Sequence, residues 1–411
     1  MFIYNLVIRL FSVMVRLVAG RNIKAKQMVE GRKNLFEKLA QKIDTNSEIV
    51  WFHSASLGEF EQGRPVIEEY RLRYPNRKIL LTFFSPSGYE VRKNYEGVDY
   101  IFYIPYDLKK DVVRFLDIVK PCEVYFIKYE FWLNFMSEIK KRKIKFYIFS
   151  SIFDSKKVFF KPYGGIYRKA LTAFTHIFVQ DDNSKKLLSD IGVENVTVAG
   201  DTRFDRVYKI VTSSKHLPIV KSFKGDAFCM VCGSTWEPDD KIVCDLIRQG
   251  RENVKFIIAP HELGAEKIKN LVATLTKEGF KVVLYTESDE VNVKEADVLI
   301  INCIGILSSV YKYGEIAMIG GGFGVGIHNT LEAATFGLPM IFGGNYTKFK
   351  EARDLVAIKV ATPITDSKDA ILWFNTILDD TNKLKELTAV GANFVSSKIG
   401  ATDIILNGVD Q

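Results

Sequence analysis

A glycine-rich run, Gly320, Gly321, Gly322, Gly324 and Gly326, leads into His328, Asn329, Thr330, Leu331 and Glu332. Glycine lets a backbone approach an anion closely, and the amides at the start of a following helix favour negative charge, so the chemistry suited to this run is phosphate binding. Residues 315–319 before it read as a buried parallel strand and 330–336 as the first turns of a helix, which is the context a nucleotide site requires. A tight strand-to-helix turn that binds nothing is the competing reading. Glu332 lies three residues after Asn329: it can partner a cap, or its two oxygens can accept both hydroxyls of a ribose whose phosphate rests on the loop.

A second glutamate has a comparable setting. Residues 49–53 read as a strand and 65–70 as part of a helix, with Glu59 at the junction. Ser56 and Glu59 have the spacing of a capping box, which is one explanation. The other is a general base, because the end of a strand facing a cleft can bring a carboxylate within hydrogen-bond reach of a hydroxyl.

Metal and redox chemistry have little support. Cys122, Cys229, Cys232, Cys244 and Cys303 lack the spacing of a disulfide framework. The pair Cys229 and Cys232 lies inside a strand-like run with no second pair, so core packing is the better reading. The five histidines are scattered. No protein-bound metal and no cofactor are expected, and a reducing compartment fits.

The elements that must position these groups follow an α/β rhythm. At 411 residues and 47% hydrophobic residues the chain can bury two cores. Residues 49–53, 78–83, 100–104, 123–127, 145–150 and 176–179 read as strands with helix patterns between most of them. The rhythm returns at 228–232, 254–259, 281–285, 298–301, 316–319 and 339–342. Two doubly wound, Rossmann-like domains facing a central cleft are the expected α/β fold, with ligands beyond the carboxyl ends of the strands. The expected divisions are 1–20 as an N-terminal membrane-associated helix, 21–211 as the first domain, 212–224 as a linker, 225–390 as the second domain, and 391–411 as a C-terminal helix packing back on the first.

The formal charge of +8 is concentrated early, in Arg9, Arg16, Arg21, Lys24, Lys26, Arg32 and Lys33. Residues 1–20 are rich in Phe, Leu, Ile and Val, but Arg9 and Arg16 interrupt them, and no uncharged span reaches membrane-crossing length. Without a small-residue cleavage site a signal peptide is disfavoured. An interfacial helix against anionic head groups and a first helix packed on the protein's own core both remain open. No basic stripe with interleaved aromatics suggests nucleic acid.

At this point the residues resemble the 3-deoxy-D-manno-octulosonic acid (Kdo) transferases of lipopolysaccharide assembly, which have the GT-B glycosyltransferase fold. The resemblance covers nearly the whole chain. Its markers are His53-Ser54-Ala55-Ser56-Leu57-Gly58-Glu59, Ser85-Pro86-Ser87-Gly88, Tyr129-Glu130-Phe131-Trp132, Gly200-Asp201-Thr202-Arg203-Phe204-Asp205 and residues 320–332. It implies inverting, metal-independent transfer of Kdo from CMP-Kdo to a lipid A precursor at the cytoplasmic face of a Gram-negative inner membrane, whose lipids are then partners too. Glu59 matches the catalytic glutamate and Glu130 a second glutamate that helps hold acceptor or base geometry. Ser56, Gly58, Ser85, Ser87 and Gly88 match the acceptor side. Gly320, Gly321, Gly322, His328, Asn329 and Glu332 match the donor-nucleotide motif, joined by Ser234, Thr235, His261 and Arg203. Four departures stand out: Arg203 replaces a common lysine, Pro260-His261 lacks an intervening arginine, residues 302–305 lack an acid, and Lys348 replaces an asparagine before Phe349. The alternatives are another GT-B sugar-nucleotide enzyme, such as a UDP-sugar transferase or epimerase, and a membrane-associated binding protein that retains the fold without chemistry.

Overall fold

The computed structural model describes residues 1–410; Gln411, the last residue of the expected C-terminal segment, lies outside them. The chain forms two α/β units, one of Met1–Asp205 joined by the chain from Ile399 onward, the other of Arg206–Lys398.

The first unit holds a parallel sheet of β1 (Ile49–Ser54), β2 (Lys78–Phe83), β3 (Tyr100–Tyr103), β4 (Glu123–Ile127), β5 (Lys145–Ser151), β6 (His176–Val179) and β7 (Val196–Val198), in the order β3-β2-β1-β4-β5-β6-β7. Helices cover both faces, so successive residues of β1 go to different cores: Ile49 and Trp51 to one, Val50 and Phe52 to the other. That is why the strand reads as an unbroken apolar run rather than an alternating one. The last helix, Ala401–Val409, lies on this unit, where Ile405, Leu406 and Val409 join the core of Val50 and Phe52, and Arg73 holds Asn407 at 2.7 Å.

The second unit repeats the architecture with β8 (Phe228–Thr235), β9 (Val254–Pro260), β10 (Val282–Leu284), β11 (Val298–Ile300), β12 (Ile316–Ile319), β13 (Met340–Gly343) and β14 (Ala361–Ile364), all parallel, in the order β10-β11-β9-β8-β12-β13-β14.

The alternation reads six strands into each half, and each sheet has seven. The additions are the edge strands β7 and β14. β7 is three residues long, and β14 carries Pro363, a residue tolerated at a sheet edge because one side of the strand has no partner to receive an N–H. Residues 212–224, read as a linker, include the helix Pro218–Lys224, whose Val220 and Phe223 are buried.

The N-terminal helix Phe2–Val18 packs along one side on the first unit. Ser12 and Val15 are buried, Tyr4 donates to Asp107 at 2.5 Å, and the Phe11 ring stacks 6.0 Å from Phe84. Its other sides leave Phe2, Ile3 and Leu17 at least 75% exposed. Among the described residues no single helix is long and apolar enough to cross a membrane; Phe2–Val18 and Ile23–Gly31 reach that composition only together, across a bend of 117°.

Candidate active site

In the first unit β1 lies between β2 and β4, so crossovers leave it in both directions and the carboxyl ends of β1 and β4 form the switch point where open α/β sheets hold ligands. Glu59 comes to this edge in the first turn of the helix Leu57–Arg73, directly after β1. Glu130 comes to it just beyond β4.

The two carboxylates are held differently. Glu130 is buried, and its Oε2 receives the Trp132 indole N–H at 2.5 Å and lies 3.0 Å from Nε2 of the fully buried His53. The far ring nitrogen of His53 is 2.8 Å from Thr82 Oγ1, which accepts the Trp51 indole N–H at 2.7 Å. An indole can only donate, so Thr82 Oγ1 accepts from Trp51, and His53 Nδ1 also lies 3.1 Å from the Thr82 carbonyl oxygen, which can only accept. Glu59 is only half-buried. The Ser56 hydroxyl donates to its carboxylate, and Ser56 makes no side-chain cap to the helix, so the capping box is not formed.

Around Glu59 and Glu130 the chain is under local strain. Lys128, just past β4, and Ser150, near the end of β5, have φ of 72° and 56°, in the left-handed region that side chains other than glycine rarely adopt. The ammonium groups of Lys128 and Lys157 lie 5.4 and 5.0 Å from the centre of the Tyr129 ring. The Tyr129 hydroxyl is pushed up in pKa by burial and then by the negative charges of Asp181, Glu59 and Asp154.

The loop after β2 is laced to the loop after β1 by Ser85 N–H donating to Ala55 O at 2.8 Å. Ser85 caps the helix Pro86–Arg92, accepting from Ser87 N at 3.2 Å, with the two hydroxyls 2.8 Å apart. Gly88 is needed for space, since a Cβ there would sit 2.3 Å from the Phe83 ring, while Gly58 is exposed. Arg32 supports the same loop. Counted above with the basic residues of the N-terminus, its guanidinium instead lies among the rings of Phe84, Tyr103 and Tyr106, donates to Phe84 O and Ile104 O at 2.8 and 2.9 Å, and is pushed down to about 10 by burial. Arg203, expected on the donor side, lies in the first unit, at the start of the helix Thr202–Ser213, with its guanidinium 2.7 Å from Asp201.

In the second unit the switch point falls between β8 and β12. Ser234 breaks the β8 register with φ 54°. The following Thr235 is buried, and its carbonyl accepts His261 N–H at 2.9 Å, joining the ends of β8 and β9. The glycine loop fits tightly between its neighbours. A Cβ on Gly320 would stand 2.1 Å from Ser234 O and one on Gly322 2.5 Å from Gly343 N, while Gly321 has φ +91°. Asp239, which the motifs do not single out, ties this together. Buried in the first turn of the helix Glu237–Ile247, its Oδ2 accepts Gly321 N–H at 2.8 Å and Trp236 N–H at 2.9 Å. The signal available in the sequence is its place three residues after Trp236, the same spacing that draws attention to Glu59.

Three flat side chains stack beside this loop. His261 lies 4.7 Å from Trp236 and 4.3 Å from His328 between ring centres, and Trp236 Nε1 is 3.0 Å from His328 Nε2. Burial, helped by His261, pushes His328 down to about 4, so it is uncharged at neutral pH. Asn329 donates to Glu332 at 2.9 Å and accepts Leu331 N–H at 3.1 Å. Glu332 is raised in pKa by burial, offset in part by Asn329 and by the charge of Arg206.

One expectation changes here. The helix after the glycine loop is the single turn Leu331–Ala334, stopped by Gly337 at φ +74°, where a Cβ would meet Thr388 O at 2.6 Å. So short a helix supplies little dipole, and any anion on this loop depends on individual N–H groups. Among the described residues no group of three or more His, Cys, Asp or Glu is gathered as for a metal ion.

Comparison with known proteins finds the same relationship that the motifs suggest. Residues 30–206 match the family of the 3-deoxy-D-manno-octulosonic-acid transferases (kdotransferases). Over 366 residues the chain is 24% identical to the 3-deoxy-D-manno-octulosonic acid transferase of Chlamydophila psittaci, covering 86% of this chain and 83% of that one. The transferase of the same name from Haemophilus influenzae is 25% identical over 374 residues, with 87% and 86% covered. Among solved structures, UDP-GlcNAc 2-epimerase of Neisseria meningitidis, bound to UDP-GlcNAc, aligns with a TM-score of 0.60 at 15% identity over 88% of this chain and 99% of that one, a likeness of GT-B-like fold.

Proposed function

We propose that the chain, a glycosyltransferase of the Kdo transferase family, moves Kdo from CMP-Kdo to a lipid A precursor, inverting the anomeric carbon and using no metal. Glu59 takes the proton from the acceptor hydroxyl as its oxygen attacks the anomeric carbon. The bond from that carbon to the phosphate oxygen breaks with its electron pair, and CMP leaves. General-base help of this kind is typically worth ~10² to 10⁴ in rate. Glu130, fixed by His53 and Trp132, keeps the base and acceptor in register. Ser56, Gly58, Ser85, Ser87 and Gly88 form the acceptor edge. In the second unit Ser234, Thr235, His261, Gly320, Gly321, Gly322, His328, Asn329 and Glu332 hold the nucleotide, and the positive charge of Arg203 offsets charge on the leaving CMP or on the Kdo carboxylate.

The observation that carries this reading is Glu59 itself: a half-buried carboxylate at the switch point of a sheet, paired with a serine hydroxyl and not consumed by a helix cap. The exposed apolar residues of Phe2–Val18 and the basic Arg9, Arg16, Arg21, Lys24 and Lys26 support work at an anionic lipid surface, which this reading takes to be the cytoplasmic face of a Gram-negative inner membrane.

The test is CMP release from CMP-Kdo, generated in situ, with and without a detergent-dispersed tetra-acylated lipid A precursor, following the lipid by mass. An acceptor-dependent gain of one or more Kdo units is expected. No gain beside an active control enzyme would overturn the assignment of donor and acceptor.

A further inference from the structure

His328 presents a question of proton placement that the geometry answers. Its ring has two nitrogens, and in the neutral imidazole one donates and the other accepts, the choice being set by whatever hydrogen bond the first one makes. Trp236 Nε1 lies 3.0 Å from His328 Nε2. An indole N–H cannot accept, so Nε2 must, and the imidazole proton is on Nδ1. Three further contacts make this arrangement stiff. The Trp236 and His328 ring planes are within 8° of parallel, His261 stacks against both, and Asp239 Oδ2 holds the backbone N–H of Trp236 and of Gly321 at 2.9 and 2.8 Å. The Cδ2 side of the His328 ring faces Gly321, 3.1 Å from where a Cβ of that residue would stand. Among the described residues, no hydrogen bond engages Nδ1.

We infer that Trp236 is a positioning residue of the nucleotide site: by donating to Nε2 of His328 it fixes the proton on Nδ1 and presents that N–H, uncharged, to a phosphate oxygen of the nucleotide. This rests on the donor assignment made above and adds to it a residue that touches no reacting atom. The single-turn helix Leu331–Ala334 contributes little dipole, so a donor held in one tautomer supplies what a longer helix would have supplied. An uncharged donor also fits a group that must release CMP after transfer, because a neutral hydrogen bond to phosphate is weaker than an ion pair.

The experiment is nitrogen NMR of the full chain carrying ¹⁵N-imidazole histidine, with the His328 signals assigned by substitution, alongside titration with CMP and with cytidine. The expected result at pH 7 is the Nδ1–H form of His328 in the natural chain. Trp236→Phe keeps a flat ring while removing the N–H together with the five-membered part of the indole; it is expected to move His328 toward the Nε2–H form and weaken CMP by roughly tenfold, with cytidine affinity unchanged. His328→Asn, whose amide N–H lies near the Nδ1 position, should retain CMP binding in the Trp236→Phe background, and His328→Gln should not. An imidazolium or Nε2–H form in the natural chain overturns the inference, as does Trp236→Phe binding CMP as tightly as the natural chain. A natural chain that holds the Nδ1–H form but binds no CMP would support the tautomer assignment and overturn the choice of donor.

Discussion

The two switch points are built on the same topology and are furnished in opposite ways. At the end of β1 and β4 the chain offers side-chain carboxylates, one buried among hydrogen bonds from Trp132 and His53 and one left accessible with Ser56. At the end of β8 and β12 it offers a close-packed glycine backbone, a neutral imidazole and two stacked aromatic rings, and its buried carboxylate, Asp239, faces the protein's own N–H groups. A parallel sheet supplies position at its carboxyl edge. After β1 the first turn of a long helix presents Glu59, whereas after β12 glycines leave the backbone as the ligand surface, and the acid Asp239 of the helix after β8 is used to hold that backbone.

That contrast is broken most severely at Glu59. Glu59→Gln keeps the shape and removes the base, and transfer is expected to fall by ~10² to 10⁴ while CMP affinity, a property of the other unit, stays within about twofold. Initial rates and a CMP titration check it, and turnover near that of the natural chain would reduce Glu59 to a structural residue.

Gly320→Ala is the converse. A methyl group 2.1 Å from Ser234 O forces apart the loops after β8 and β12, so CMP binding is expected to weaken by at least roughly tenfold. Circular dichroism and a CMP titration would separate this from global unfolding.

Asp239→Ala leaves two N–H groups without their acceptor, at roughly 1 to 3 kcal/mol each where buried, and should lower the melting temperature of the second unit by several degrees. Asp239→Asn keeps an acceptor oxygen and should lose less. Equal melting points for the two variants would mean that Asp239 does not hold the loop by its hydrogen bonds.

The smallest effect is a pH dependence. His328 has an ordinary value of 6.5 and is pushed down to about 4 in the folded chain, so the unfolded chain takes up its proton first. Its contribution to stability is therefore present above 6.5 and is lost as pH falls from 6.5 toward 4. Asp240 opposes it in the same unit: burial pushes its carboxyl from 3.8 up to about 6, so the folded form gains relative stability as pH falls through that window. The His328→Asn variant isolates the difference. Its stability, followed by chemical denaturation between pH 4 and 7, should fall less steeply on acidification than that of the natural chain.

Much of the frame was legible in the residues. Twelve strands announce themselves as apolar runs because both faces of a parallel sheet are covered, and the edge strands β7 and β14 escape notice because one is three residues long and the other contains Pro363. The glycine run and the junction at Glu59 were visible for a similar reason, since residue type alone limits what the backbone can do there. The burial of Arg32 could not be read from the sequence, because nothing local distinguishes a surface arginine from one enclosed by Phe84, Tyr103 and Tyr106, which are distant in the chain.

The sequence by itself determined the alternation of strands and helices, the places where the backbone had to be glycine, and the family whose motifs recur in order. Only the tertiary structure decided that Ser56 would bond to the Glu59 carboxylate and leave the helix uncapped, that His53 would meet Glu130, and that Trp236 would meet His328, 92 positions further along the chain. Backbone preference is local and so can be read from neighbours, whereas the partner of a buried hydrogen-bonding group is whatever polar atom the packing of distant segments brings to it.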